Sequence, residues 1–365
     1  MEQVNYDAFE SYSKIVVIGV GGAGNNAVNR MIKDQMHDID FWVCNTDIQV
    51  VSTSKAEHKL LLGPKTTKGL GAGGDPEVGR MAAEDSSDDI KEIVDGADIV
   101  FIAAGMGGGT GTGAAPVIAK IARDAGALTI AIVTRPFTFE GEKRRSRAVE
   151  GIKNLKEVVD SILVVSNDKL MMMNGNRPLA EAFEESDRIL SQSVKTITDI
   201  ILVKGVINLD LNDIRNGLQN KGLALIGFGS GKGENKAIDA VNQAISSPLL
   251  EAGIHGAKTA IVNITYSNEV TMYEANEVIN YIKEAAGTDS DINVVLGIQL
   301  NSELKDEMFV SVIATDLSEN YDQNELPKPF IRKEEIKKEE IVEEETEEED
   351  ESILPSFLSD NIDGE

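Results

Sequence analysis

The sequence predicts an α/β protein: a doubly wound parallel-sheet domain, a long central helix, a second, smaller mixed α/β domain and a disordered acidic C-terminal tail. Three observations carry this. Through the first half of the chain, apolar runs rich in β-branched residues alternate with helix-period stretches, the pattern of parallel strands covered on both faces. Between Arg177 and Val203 apolar residues recur every three or four positions, giving one helix of roughly seven turns and about 40 Å. From Ser318 the composition shifts, residues 318–365 carrying 18 of the 62 acidic side chains and 5 of the 35 basic ones.

Lys14–Gly19 is the first expected strand, followed by a helix at Asn26–Lys33 and a second strand at Phe41–Asn45. Further strands are expected at Ile99–Ala104, Leu128–Val133 and Ile162–Val165, separated by helices at Pro76–Val94, Ala114–Ala125 and Gly141–Val159. The long helix exceeds what a routine surface helix needs and suits a spine between two domains. Beyond it, strands are expected at Leu223–Gly227, Ala260–Thr265, Asn293–Gln299 and Met308–Thr315, with helices at Asn235–Ala244 and Glu269–Ala286.

With 365 residues and 41% hydrophobic content the chain can fill one large core or two medium ones. Its net charge of −27 argues against nucleic acid as a partner, because phosphate backbones demand clustered Lys and Arg. A single nucleotide remains compatible, since its few charges can be met by amides and Mg²⁺. The lone Cys44 excludes a disulfide framework and fits a reducing compartment, and with His37, His58 and His255 it makes no metal-ligating set. No basic-plus-apolar segment precedes Lys14 and no apolar run approaches ~20 residues, so a cytoplasmic protein without membrane insertion is expected.

Gly105–Gly113 reads G-M-G-G-G-T-G-T-G, between an apolar strand and a helix. Such a loop aims backbone N–H groups and a positive helix end at one point, where a phosphate belongs. Flexibility needs no alternating threonines and packing seldom needs six glycines, so a ligand-facing role is expected. The hydroxyls suit donation to phosphate oxygens or to a metal's water.

A second loop, Gly19-Val-Gly21-Gly-Ala-Gly24, matches the dinucleotide fingerprint, with Asp47 placed to hold a ribose. An oxidoreductase built on it would leave the longer glycine loop without a role and lacks a histidine for a proton relay. No G-x-x-x-x-G-K-[ST] occurs, which argues against a P-loop ATPase. Two glycine loops on neighbouring strands can instead grip the two ends of one mononucleotide triphosphate.

G-G-G-T-G-T-G at Gly107–Gly113 resembles the signature loop of the tubulin/FtsZ superfamily. Gly19–Asn26, Asn45-Thr-Asp47, Gly69–Glu77, Thr134–Glu142 and Asn208–Ile214 resemble the pattern of its bacterial FtsZ branch, from about Ser13 to Leu317. The resemblance implies a GTPase that binds GTP/GDP with Mg²⁺, stacks head to tail into filaments and forms the cell-division ring. A tubulin-like filament in a non-division role is the nearest alternative. It implies a flexible arm at 1–12, a GTP-binding domain at 13–176, a central helix at 177–206, a polymerisation and activation domain at 207–317, a linker at 318–351 and a docking peptide at 352–365.

Carried over, Gly21, Gly22, Ala23, Gly24 and Asn25 would line the nucleotide, and Gly108, Gly109, Thr110 and Gly111 the phosphates. Glu140 and Arg144 would reach ribose and phosphates, and Phe183 and Asp187 the base. One carboxylate accepts both the N1–H and the N2 amine of guanine, whereas adenine offers an acceptor at N1. Phe183 also fits the apolar stripe of the helix and so suits core packing. Asp210 and Asp213 read by themselves as a solvated turn with a helix N-cap. The resemblance implies instead that they enter the next subunit's pocket and polarise the attacking water. General-base help of that type is worth about 10²–10⁴-fold in rate.

The run Glu334–Glu351 cannot bury enough surface to order itself. Ile353–Leu358, apolar after this charged tether, reads either as a frayed end or as a docking peptide. The resemblance implies that it meets membrane-tethering and regulatory division proteins. Two departures stand out: Ala23 where a fourth glycine fits, and Ser359-Asp360 where a basic residue is usual.

Overall fold

The computed structural model describes residues 13–174, 178–203, 205–247, 254–267, 271–287, 292–301 and 304–317. The acidic linker and the peptide Ile353–Leu358 lie outside the described residues, as does the N-terminal arm.

Ten strands form one sheet: β1 Ile15–Val20, β2 Asp40–Asn45, β3 His58–Leu61, β4 Ile99–Gly105, β5 Leu128–Arg135, β6 Ser161–Ser166, β7 Gly222–Lys232, β8 Thr259–Tyr266, β9 Asn293–Leu300 and β10 Glu307–Thr315. Their order is β3-β2-β1-β4-β5-β6-β7-β10-β8-β9. The first six are parallel, and β7 continues the parallel pairing through Ser161↔Gly222 to Leu163↔Ala224. β10 then runs antiparallel to both β7 and β8, and β9 parallel to β8.

Every residue of β1 is buried. Successive side chains enter opposite layers: Val16, Ile18, Val100 and Ile102 join one core, and Ile15, Val17, Ile99 and Phe101 the other. The second core takes in the inner face of α9 (Leu179–Leu202), through Leu190, Val194, Ile197 and Ile200. At 24 residues this helix spans about 36 Å.

Departures from the sequence expectations have local causes. The first helix, α1, runs Gly21–Lys33, and α6 runs Thr110–Asp124, so each starts inside its glycine loop rather than after it. Glycine's poor helix propensity is overridden because the helix start must touch neighbouring backbone. A Cβ on Gly24 would stand 2.2 Å from the Ala103 carbonyl oxygen. The stretch Pro76–Val94 is two helices, α4 (Pro76–Asp85) and α5 (Ser87–Val94), broken at Ser86, whose buried hydroxyl accepts the Gly63 N–H at 3.0 Å. β3 is short and mixed in character. The helices α2 (Ile48–Thr53), α3 (Pro64–Thr67), α8 (Asn167–Asn174) and α10 (Leu211–Leu218) have eight residues or fewer, too few for a periodicity to show. The remaining helices are α7 (Glu142–Lys156), α11 (Lys236–Ile245) and α12 (Met272–Ala286).

Candidate nucleotide site

In a doubly wound sheet of order 3-2-1-4-5-6 the ligand crevice opens at the carboxyl ends of the strands where the winding reverses, here between β1 and β4. Both glycine loops leave the sheet at that point. α1 and α6 begin with N-caps, Val20 and Gly109, that make no side-chain cap hydrogen bond, and neither first turn holds an acidic residue. Two adjacent helix starts thus present unsatisfied N–H groups with no competing negative charge, which suits an anion.

The loops touch each other. A Cβ on Gly21, which has φ of +71°, would lie 2.8 Å from the Gly111 nitrogen. Packing also governs the phosphate-side loop, contrary to expectation: a Cβ at Gly105, Gly107, Gly109, Gly111 or Gly113 would come within 2.8 Å of a neighbour. Only Gly22 and Gly108, one in each loop, face open space. Most of the glycines therefore set how closely the loops approach, and these two leave the room for a ligand.

The hydroxyl expectation is corrected in part. Thr112 is buried and accepts the Gly107 N–H at 2.8 Å, so it shapes the loop rather than facing a phosphate. Thr110, half-buried, shares a 2.7 Å hydrogen bond with Thr46. Thr46 in turn is held by a buried chain in which Asn45 donates to Asn25 at 2.7 Å and accepts the Thr46 N–H at 2.9 Å. Asn25 thus ties the two glycine loops to the end of β2. Asp47 caps α2, accepting from the Gln49 N–H at 2.9 Å, so the acidic residue of the dinucleotide fingerprint has a local structural task.

On the next side stands the turn Thr138–Glu140 after β5. Glu140 accepts the Phe137 N–H at 3.0 Å and pairs with Arg144, whose backbone abuts Gly107. Phe137 is fully buried, and the rings of Phe139 and Phe183 pack on it at 5.0 and 5.1 Å. Phe183 packs on buried Phe137 and is still 41% exposed, so it belongs to the core only in part. The helical stripe turns outward at the N-terminal end of α9, where Leu179 is exposed as well. One turn along, burial lifts the Asp187 carboxyl to about 7; Arg30 of α1 pulls it down and Glu184 pushes it up. The ring cluster and this carboxyl offer a flat apolar surface beside a charge-ready acceptor.

Asp210 and Asp213 are elsewhere. Asp210 caps α10 by accepting the Asp213 N–H at 2.9 Å, and Asp213 accepts the Asp210 N–H at 3.2 Å. The capping reading is therefore correct as far as it goes, and it engages one oxygen of each carboxylate. Arg215 donates to the Asp98 carbonyl at 3.4 Å, and Ser161 donates to the Leu218 carbonyl. Asp98 and Ser161 stand at the amino ends of β4 and β6, so α10 lies along the sheet edge opposite the glycine loops. β4 alone, seven residues long, separates these edges by roughly 20 Å.

Residues 14–175 match the family model for the tubulin/FtsZ family GTPase domain, and residues 222–318 that for the FtsZ family C-terminal domain. A solved structure, an empty FtsZ dimer from M. jannaschii, is 36% identical, covering 90% of this chain and 98% of that one, with a TM-score of 0.81. The chain belongs to the tubulin/FtsZ family. A point variant of M. jannaschii FtsZ is 37% identical, covering 89% of this chain and 98% of that one, also with a TM-score of 0.81. CetZ2 from Haloferax volcanii, solved as a GTPγS-bound protofilament, is 20% identical, with 92% and 99% covered and a TM-score of 0.70, which shows the shared fold alone.

Family membership makes the chain a GTPase that binds GTP and GDP. The reasoning from sequence did not single out Thr46, Phe137 or Phe139 for the site. All three sit inside motifs matched to the family, and their neighbours across the crevice are visible only once the chain folds.

Proposed function

We propose that the chain is a GTP-dependent filament protein of the cell-division ring that hydrolyses GTP at the junction between stacked subunits. Asp210 and Asp213 of one subunit then act on the nucleotide of the next. The separation described above carries this reading: the phosphate-binding groups and the carboxylate pair occupy opposite edges of one sheet. Among the described residues, Asp210 Oδ2 and Asp213 Oδ1 make no hydrogen bond and remain able to orient a water. Exposed apolar side chains also support stacking, Ile48 and Leu70 beside the crevice and Val206 and Ile207 in the segment between α9 and α10.

Within this reading, residues 13–176 are the nucleotide-binding domain, 177–206 the segment that carries the central helix α9, and 207–317 the domain that completes the neighbour's site. Among the described residues, no three His, Cys, Asp or Glu side chains are grouped to cage a metal. Mg²⁺ would therefore be held chiefly by phosphate oxygens and water, where it supplies charge neutralisation. Among the same residues no helix is long and apolar enough to cross a membrane. We assign the protein to the cytoplasmic side of the division site, with Ile353–Leu358 as the peptide that meets membrane-tethering and regulatory partners.

A mixing experiment tests the split site. Asp213→Ala should bind GTP and polymerise, yet turn it over about 10²–10⁴-fold more slowly. A variant crippled in the phosphate loop but intact at Asp213 should restore part of that turnover when added. Absence of any recovery, with both variants folded, would refute the division of labour.

A further inference from the structure

On the sheet face away from α9, a groove of about 890 Å³ opens between α4, α6 and α7. Three glycines make it. Gly79 brings α4 against the Gly109 carbonyl, Gly113 brings α6 against Pro76, and Gly151 brings α7 against Thr112, each at a spacing a Cβ would violate. The floor is a half-exposed apolar strip of Pro116, Val117, Ile121 and Val158. Pro116 lies inside α6 and has no N–H to offer the Thr112 carbonyl. Around this strip stand six carboxylates against three cations, and one of those cations, Arg80, is already engaged by Glu77 and Glu84. An apolar floor and surplus negative charge are complementary to one kind of occupant.

We infer that this groove docks a short basic and apolar peptide segment of a partner protein, and that its occupancy is coupled to the phosphate loop. The coupling follows from α4. Its N-cap residue Asp75 and the preceding Ala72 press on Gly109, and its Gly79 presses on the same residue from the helix side. An occupant that shifts α4 must move the backbone that cradles the nucleotide, and linkage makes the effect reciprocal. This second half rests on the GTP-binding reading, whereas docking itself does not.

The test uses the full chain and a fluorescein-labelled peptide of alternating arginine and leucine, read by anisotropy, with an arginine–glycine peptide as the control for charge alone. Glu150→Lys combined with Glu157→Lys should weaken binding about tenfold, and Ile121→Gln should weaken it severalfold. Asp89→Lys with Glu92→Lys, equal in charge but on α5 outside the groove, should leave it unchanged. Equal losses in both charge-reversed variants, or equal binding of the arginine–glycine peptide, would reduce the effect to the net charge of the protein and overturn the proposal. Altered sedimentation of the nucleotide-free chain in the groove variant would make the occupant a second copy and overturn it as well. GTPγS should shift peptide affinity, and the peptide should shift GTPγS affinity by the same factor; an unchanged affinity would overturn the coupling. GTPγS binding measured without peptide separates these results from a failure of the nucleotide reading.

Discussion

Replacing Asp187 with asparagine should abolish a pH dependence of guanine-nucleotide binding that the wild-type chain displays. Burial lifts this carboxyl to about 7 in the free protein, and guanine's two donors require the ionised form. About one carboxyl in eleven is ionised at pH 6 and about ten in eleven at pH 8, so affinity should rise about tenfold between them. That corresponds to about 1.4 kcal/mol, with uptake of nucleotide at pH 6 releasing close to one proton. Titration calorimetry with GDP in buffers of different ionisation enthalpy reads both quantities. Titration of the phosphates is common to wild type and Asp187→Asn, so the ratio between the two proteins isolates the side chain. A ratio that stays flat across this range would refute the assignment of Asp187 to the base. The sign in the nucleotide-free chain runs the other way. A carboxyl raised on folding contributes stability that is present below its unfolded value of 3.8 and is lost as pH rises through about 7. Asp187→Asn should therefore raise the free chain's melting temperature at pH 8 and leave it nearly unchanged at pH 4.

Two further contrasts separate binding from packing. Gly108→Ala faces open space and should lower nucleotide affinity with the melting temperature intact, whereas Gly111→Ala, with its Cβ 2.6 Å from the Gly105 carbonyl, should distort the loop and lower both; thermal melts beside GDP titrations check this. Phe183→Ala should weaken GDP binding with little loss of fold, while Phe137→Ala, fully buried, should cost about 3–5 kcal/mol in denaturant unfolding.

The parts of the fold legible in the sequence were those in which one local rule decides. β1 and β4 are uninterrupted apolar runs, and burial on both faces requires that. Helix starts at Gly21 and Thr110 were not legible, because contact with the neighbouring strand overrides glycine's reluctance to be helical. The break at Ser86 depends on an amide from Gly63, and the capture of Thr112 on an amide across its own loop; neither leaves a periodic trace. At the site, the two loops announced an anion by composition, and guanine chemistry gave Asp187 a purpose. Phe183 was ambiguous because a helical stripe does not reveal where its helix leaves the core. The capping role of Asp210 was readable from its position before a helix, but the edge of the sheet on which that helix lies was not.

That edge matters for how assembly and chemistry become one process. In a parallel sheet all carboxyl ends share one side, so an anion site at the β1–β4 reversal has a fixed direction and the opposite edge is fixed with it. The carboxylate pair lies on α10, tied by Arg215 to the amino end of β4 and so on the opposite side from the glycine loops of its own chain. On the proposed reading, a second copy translated along the strand direction would bring the α10 side of one subunit to the crevice of the next, and a repeated translation would generate a filament rather than a closed dimer. On the proposed reading hydrolysis requires a neighbour, and loss of the γ-phosphate removes the group through which the neighbour's α10 loop meets the nucleotide. A filament built as proposed would couple its own lifetime to hydrolysis at its junctions.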